Sequence, residues 1–132
     1  MKTYHGSCHC GAVRFEANID LAAGTLRCNC SICAKSRFWP AIVAPADFRL
    51  LTGESDLHHY QFGTGVNGHP FCRHCGVRAF GTSHSPRWGR FYSVNVCCLD
   101  GLDDAALAAI PITYLDGRND DWHRAPAETG HL

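Results

Sequence analysis

Cys28-Asn29-Cys30-Ser31-Ile32-Cys33 is the stretch on which the chain's organisation turns. Its thiols are too close-set for ordinary core cysteines, and an odd number of them cannot all pair as disulfides. Upstream lies Cys8-His9-Cys10-Gly11, and downstream lies Cys72-Arg73-His74-Cys75-Gly76. In a reducing compartment, thiols at such short spacings are metal ligands or redox groups more often than structural disulfides. The clustered cysteines are read as holding two metal ions, with the triplet holding the one that does chemistry.

Tetrahedral zinc needs thiolates about 2.3 Å from the metal, and short loops that turn their sulfurs inward meet that demand. Cys72-x-x-Cys75-Gly76 is such a knuckle, with Gly76 permitting the tight turn that aims backbone N–H groups at the sulfurs. Cys8-x-Cys10-Gly11 is a tighter version. Neither pair closes a site alone. Together Cys8, Cys10, Cys72 and Cys75 make a structural zinc site tying the N-terminal hairpin to the middle of the chain, its binding energy part of the folding energy.

Cys28, Cys30 and Cys33 offer three thiolates from one loop and leave a fourth position open, the pattern of a catalytic zinc. The alternative is a closed site completed by a distant residue: His58, His59, His69, His84, Cys97 or Cys98. A divalent zinc on three thiolates is a net anion, which activates water poorly but suits an incoming thiol, deprotonated on coordination. An open triplet therefore points to thiol chemistry rather than hydrolysis.

Working outward, the 132 residues suit a single domain, 1–132, with its core over about 4–123. Twelve Lys and Arg balance twelve Asp and Glu, so no basic field is available for nucleic acid or an anionic membrane. Met1 to Cys10 has no apolar core of a signal peptide, and no apolar run approaches the ~18–20 residues of a membrane span. The expected location is cytoplasmic. Nine cysteines, an odd count, also weigh against a disulfide scaffold.

Periodicity indicates an all-β domain with one short helix. Val13, Phe15, Ala17 and Ile19 alternate with polar residues, so residues 3–19 read as a hairpin around the first cysteine pair. Short strands follow at 25–28, 40–44, 48–52, 57–62, 66–71, 77–82, 90–96 and 112–115, separated by Gly-rich turns. Ser31 to Arg37 is expected to make one or two helical turns capped by Ser31. Asp103 to Ala109, acidic at its start, is the convincing helix, stopped by Pro111. Ser83 to Gly89 reads as a loop, and Asp116 to Leu132 as a polar, fraying tail. Cys97 and Cys98 are expected to be buried free thiols. Phe38-Trp39-Pro40, beside the triplet, suits a pocket wall, a docking patch or simply core. No histidine is given a role.

Three segments together resemble the glutathione-dependent formaldehyde-activating family, also called the centromere protein V domain. They are Gly6-Ser7-Cys8-His9-Cys10-Gly11-Ala12-Val13, the triplet, and Phe71-Cys72-Arg73-His74-Cys75-Gly76. Val94-Asn95-Val96, Leu99-Asp100, Pro111 and Trp122 look like that family's C-terminal pattern, so the likeness runs from about Tyr4 to Trp122. The resemblance implies a zinc-bound β-tent with two Zn2+ per chain. It places Cys8, Cys10, Cys72 and Cys75 on a structural zinc and Cys28, Cys30 and Cys33 on a catalytic zinc with an exchangeable position. It implies a carbon–sulfur lyase that forms or breaks S-hydroxymethylglutathione from glutathione and formaldehyde. Arg37, Arg87, Arg90 and Arg118 are candidates to meet glutathione's carboxylates. The centromere-associated relatives suggest the alternative, a zinc-stabilised protein-binding module without catalysis.

Overall fold

The computed structural model describes residues 1–132. Strands dominate, with helices short and few. β1 (Lys2–Ser7) and β2 (Arg14–Ile19) form the expected antiparallel hairpin, and the link between them carries Cys8 and Cys10. The alternation in β2 sends Phe15, Ala17 and Ile19 into the core and keeps Arg14 outside. β3 (Thr25–Cys28) leads into helix α1 (Ser31–Ser36), and β4 (Pro40–Val43) and β5 (Phe48–Thr52) follow. β5 pairs with β2, completing a three-stranded sheet in the order β1-β2-β5.

β6 (Leu57–Tyr60) and β7 (His69–Cys72) pair as an antiparallel ladder, delivering Cys72 at its end. β8 (Phe80–Ser85) and β9 (Gly89–Asn95) form a hairpin, and β9 also pairs with β4, giving a second antiparallel sheet, β4-β9-β8. After helix α2 (Asp104–Ala108), β10 (Ile112–Leu115) returns to lie parallel to β3. That pairing carries the C-terminal segment to the triplet.

The core lies between the two three-stranded sheets. Phe48 of β5 stacks on Tyr92 of β9 at 4.2 Å between centroids and on Phe15 of β2 at 5.6 Å. Val13, Phe15, Val94 and Val96 are fully enclosed, and burying a side chain such as Phe15 is worth about 1.5–3 kcal/mol. Trp39 is core: its indole N–H donates to the Thr25 hydroxyl at 2.7 Å, which donates onward to the Pro111 carbonyl at 2.9 Å. A buried polar pair is satisfied there, and it ties β3 to the start of β10.

The strand expected at 66–71 is found at His69–Cys72, that at 57–62 ends at Tyr60, and Ser83 to Ser85 is strand rather than loop. Four further segments differ from the sequence-based expectation. Residues 77–79 are not strand. The Val77 carbonyl accepts from Cys72 N–H, and the Arg78 and Ala79 carbonyls are taken by the Asn95 side chain and backbone, so β8 starts at Phe80 and runs on to Ser85. α1 is capped by Cys30 rather than Ser31, with no side-chain hydrogen bond. Val96 to Cys98 is a single 3-10 turn capped by Asn95, which leaves Cys97 exposed while Cys98 is buried. Asp116 to Leu132 is not frayed where it matters: Asp116 bridges to Asp121, and its N–H donates to the Arg124 carbonyl at 2.9 Å. No helix is long and apolar enough to cross a membrane.

Candidate metal centres

The first group assembles from two distant turns. Cys8 and Cys10 follow β1, Cys72 ends β7, and Cys75 closes the turn after it. All four sulfurs lie within 4.8 Å of one another. Cys8 and Cys10 are 3.7 Å apart, and Cys10 and Cys72 3.6 Å. A tetrahedron of sulfurs on bonds of about 2.3 Å has edges of about 3.8 Å, so the donor set fits zinc. Gly11 and Gly76 take left-handed φ of +81° and +77°, the conformation each knuckle needs to reverse the chain. The Val13 N–H donates to Cys8 Sγ at 3.3 Å, as expected where a sulfur carries charge. Cys8 and Cys72 are buried and Cys10 is exposed.

The second group is local. β3 ends on Cys28, Cys30 caps α1, and Cys33 sits in the helix's first turn, so one strand-to-helix corner turns three sulfurs to a common point within 4.8 Å. No histidine, carboxylate or further cysteine joins the group. The closing candidates His58, His59, His69, His84, Cys97 and Cys98 thus stay outside both clusters. The Cys30 N–H donates to Cys28 Sγ at 3.3 Å. The Cys28 and Cys33 thiols, converging on Cys30, push it down to about 2, and backbone N–H groups of Cys33 and Ile32 work the same way. Cys28 is pushed up by its hydrogen bond to Cys30, and Cys33 by those to Cys28 and Cys30. Of the three sulfurs, the corner favours negative charge on Cys30.

The triplet opens onto a cavity of about 470 Å³, within the range of small-molecule sites. Phe38 and Pro40 wall it, so this pair is pocket lining while Trp39 between them is core. Trp88, Phe91, Phe62 and Trp122 supply more aromatic surface, and His69, Arg78 and Arg118 supply the basic groups. Arg78 lies over the Phe38 ring at 3.7 Å and donates from Nη1 to His69 Nδ1 at 2.9 Å. Burial lowers the Arg78 pKa, opposed by the nearby Cys33 and Cys30 sulfurs. Burial, then the Arg78 charge, lowers that of His69. Arg78 Nε and His69 Nε2 are buried without a partner.

The returning C-terminal segment is latched to the triplet loop through Asn29, which is 6% exposed. Its amide donates to Asp116 Oδ1 at 2.8 Å and its carbonyl accepts from Arg118 N–H at 2.9 Å. Hydrogen bonds from the Asn119 and Asn29 amides hold the Asp116 carboxyl below the usual range. Gly117 passes so close that a Cβ there would strike Cys28 Sγ and sit 2.7 Å from the Trp122 ring. Sequence reasoning missed Asn29, Gly117 and Arg78, and named His69 only as a candidate to close the triplet. Asn29 alone carried a signal, a polar residue between two ligands. Of the arginines named for carboxylates, Arg118 lines the cavity; Arg87 instead donates to the Trp122 carbonyl at 2.9 Å and lies over the Trp88 ring. Arg37 and Arg90 are not among the cavity's lining residues.

A mainly β chain carrying a split four-cysteine group and a local three-cysteine group beside a cavity defines a class of cysteine-rich protein fit for zinc. Residues 3–114 match the family described as glutathione-dependent formaldehyde-activating enzyme, and the chain belongs to that family. The fold is similar to the crystal structure of a Rhodobacter sphaeroides protein at 35% identity, with a TM-score of 0.71, covering 83% of this chain and 99% of that one.

Proposed function

We propose that the chain forms and breaks the adduct between a thiol, glutathione, and a small aldehyde, formaldehyde, as a carbon–sulfur lyase. The observation that carries this is the triplet: three sulfurs at one point, no fourth protein ligand, and a cavity in front of them. Cys28, Cys30 and Cys33 would hold a zinc with a position left free, and the metal would supply the Lewis acidity that favours the thiolate form of an incoming thiol. Cys8, Cys10, Cys72 and Cys75 would hold a second zinc with no position left, in a structural role.

The protein's own groups then do three things. Arg78, half-buried beside the triplet with no carboxylate paired to it, offsets the negative charge of the thiolates. Because a guanidinium only donates, His69 must accept at Nδ1, which fixes a neutral imidazole with its proton on Nε2. Arg118, lining the cavity, is placed for a carboxylate of the thiol substrate. The substrate sulfur adds to the carbonyl carbon; the C–S bond forms as the C=O π bond opens, and the oxygen takes up the equivalent of the thiol's proton. Holding both reactants together supplies proximity. The reading takes the chain as one domain, core about 4–123, in the cytoplasm, whose reducing conditions keep both clusters as thiols.

Cobalt substitution tests it. Glutathione added to the cobalt-loaded protein should change the absorption of the triplet's metal, and Cys30→Ser should abolish both that response and any acceleration of glutathione–formaldehyde exchange. An unchanged spectrum sinks thiol ligation, and exchange that survives Cys30→Ser sinks the catalytic assignment.

A further inference from the structure

Formaldehyde is one carbon and one oxygen, yet the triplet faces a cavity of about 470 Å³. The wall of that cavity is chemically lopsided. Its cations are Arg78 and Arg118, no carboxylate lines it to meet an ammonium group, and the remaining surface is dominated by Phe38, Phe62, Trp88, Phe91 and Trp122. Arg118 suits a carboxylate of a thiol such as glutathione and Arg78 faces the triplet, while the aromatic surface suits neither a charged tripeptide nor formaldehyde.

That surface is built. Trp88 meets Phe91 edge-on at 5.4 Å, Arg87 lies over Trp88 at 4.7 Å, and the same guanidinium donates to the Trp122 carbonyl at 2.9 Å. The backbone N–H of Trp88 donates to the Ser85 hydroxyl at 3.1 Å, fixing the turn that carries the ring, and Arg78 lies over Phe38. Phe62 and Trp122 are nonetheless 44% and 37% exposed. Large aromatic side chains held in place around a concave site and left open to water mark a surface that an apolar ligand covers.

We propose that this cavity takes aldehydes with an aromatic or similarly sized apolar body, so that the adduct is a hemithioacetal of an aryl-type aldehyde and not of formaldehyde alone. The inference rests on the thiol-addition reading and adds the substrate class. The chemistry balances without another reactant: the thiol sulfur bonds to the aldehyde carbon, the C=O π bond opens, and the thiol's proton ends on the hydroxyl. Trp88 and Phe91 are then specificity-determining residues, since an aryl ring gains from stacking against them and formaldehyde has nothing to stack.

The test uses the zinc-loaded chain and separates binding from reaction. Benzyl alcohol, an unreactive stand-in for the aldehyde, is titrated by saturation-transfer NMR, with methanol as control. Exchange NMR then compares glutathione adduct turnover with benzaldehyde and with formaldehyde. Saturable benzyl alcohol binding is expected, weakened about tenfold in Phe91→Ala, and the benzaldehyde-to-formaldehyde ratio of kcat/KM should fall in Phe91→Ala and Trp88→Leu. Phe91→Leu, which keeps apolar volume, should retain more of that ratio than Phe91→Ala. If benzyl alcohol binds no better than methanol, or benzaldehyde adducts turn over no faster than in protein-free buffer, the substrate class is overturned while the thiol reading stands. If glutathione leaves the cobalt spectrum unchanged, both fall together.

Discussion

The two cysteine groups differ in where their ligands come from, and that difference divides their work. The four-cysteine group draws on turns separated by most of the first half of the chain, after β1 and after β7, so it forms only when the sheets have come together. The triplet comes from one strand-to-helix corner and needs little beyond local structure to gather its sulfurs. A site that closes a long loop couples metal binding to folding. A site on one corner adds little to folding and can leave a coordination position for something else. On the proposed function, the chemistry falls to the local one, with the cavity in front of it.

The sharpest way to break this comparison is to remove one ligand from each group. Cys72→Ser deletes a fully buried member of the closed group and should leave the chain unable to hold its native state, because binding energies of about 10–16 kcal/mol are at stake at structural zinc. Far-ultraviolet circular dichroism and a lost melting transition would report it. Cys30→Ser, in contrast, should melt close to the parent while binding one zinc fewer. Equal destabilisation by the two substitutions would collapse the distinction.

Zinc release offers a second, smaller contrast. A metal-sensing dye competing for zinc should take one equivalent readily, from the triplet, and the other only under denaturing conditions. Release of both in a single step would argue against an open site.

Third, the latch across the triplet can be cut. Asn29→Ala removes the amide that donates to Asp116 and the carbonyl that accepts from Arg118 N–H, in a residue with almost no exposure. Losing both bonds should lower the midpoint of chemical denaturation, modestly because water reaches Asp116 and Arg118. Gly117→Ala drives a methyl group against Cys28 and Trp122 and should weaken zinc retention at the triplet more than at the closed site.

The smallest effect concerns the two cysteines outside both groups. Burial pushes Cys98 up from 9.0 to about 12, while Cys97 is exposed. Between those pH values the unfolded chain gives up the Cys98 proton and the folded chain keeps it, so stability falls as pH rises from about 9. Cys98→Ala should flatten that fall in melts taken across the alkaline range. Iodoacetamide at neutral pH should label Cys97 and spare Cys98.

Much of the fold was legible because its signal is local. The hairpin around Cys8 and Cys10, the corner at the triplet and the knuckle at Cys72 each follow from alternation, close-set thiols and a following glycine, and each stands where expected. The errors lie where backbone partners come from far away. Residues 77–79 have a strand-like sequence, but the knuckle and Asn95 take their carbonyls. The C-terminal tail looks polar and loose, but a parallel pairing to β3 brings it onto the triplet.

The sequence by itself determined which cysteines group together and that a three-thiol site stands apart from a four-thiol one. Thiol spacing is a local property, and metal geometry reads it directly. Only the tertiary structure decided what faces the triplet. Arg78 and His69 come from the second knuckle and β7, Trp88 and Phe91 from the β8–β9 hairpin, and Trp122 from the returning tail. No period or spacing links those positions. They meet because two sheets pack on one core and the parallel pairing of β10 with β3 brings the C-terminal segment back to the triplet.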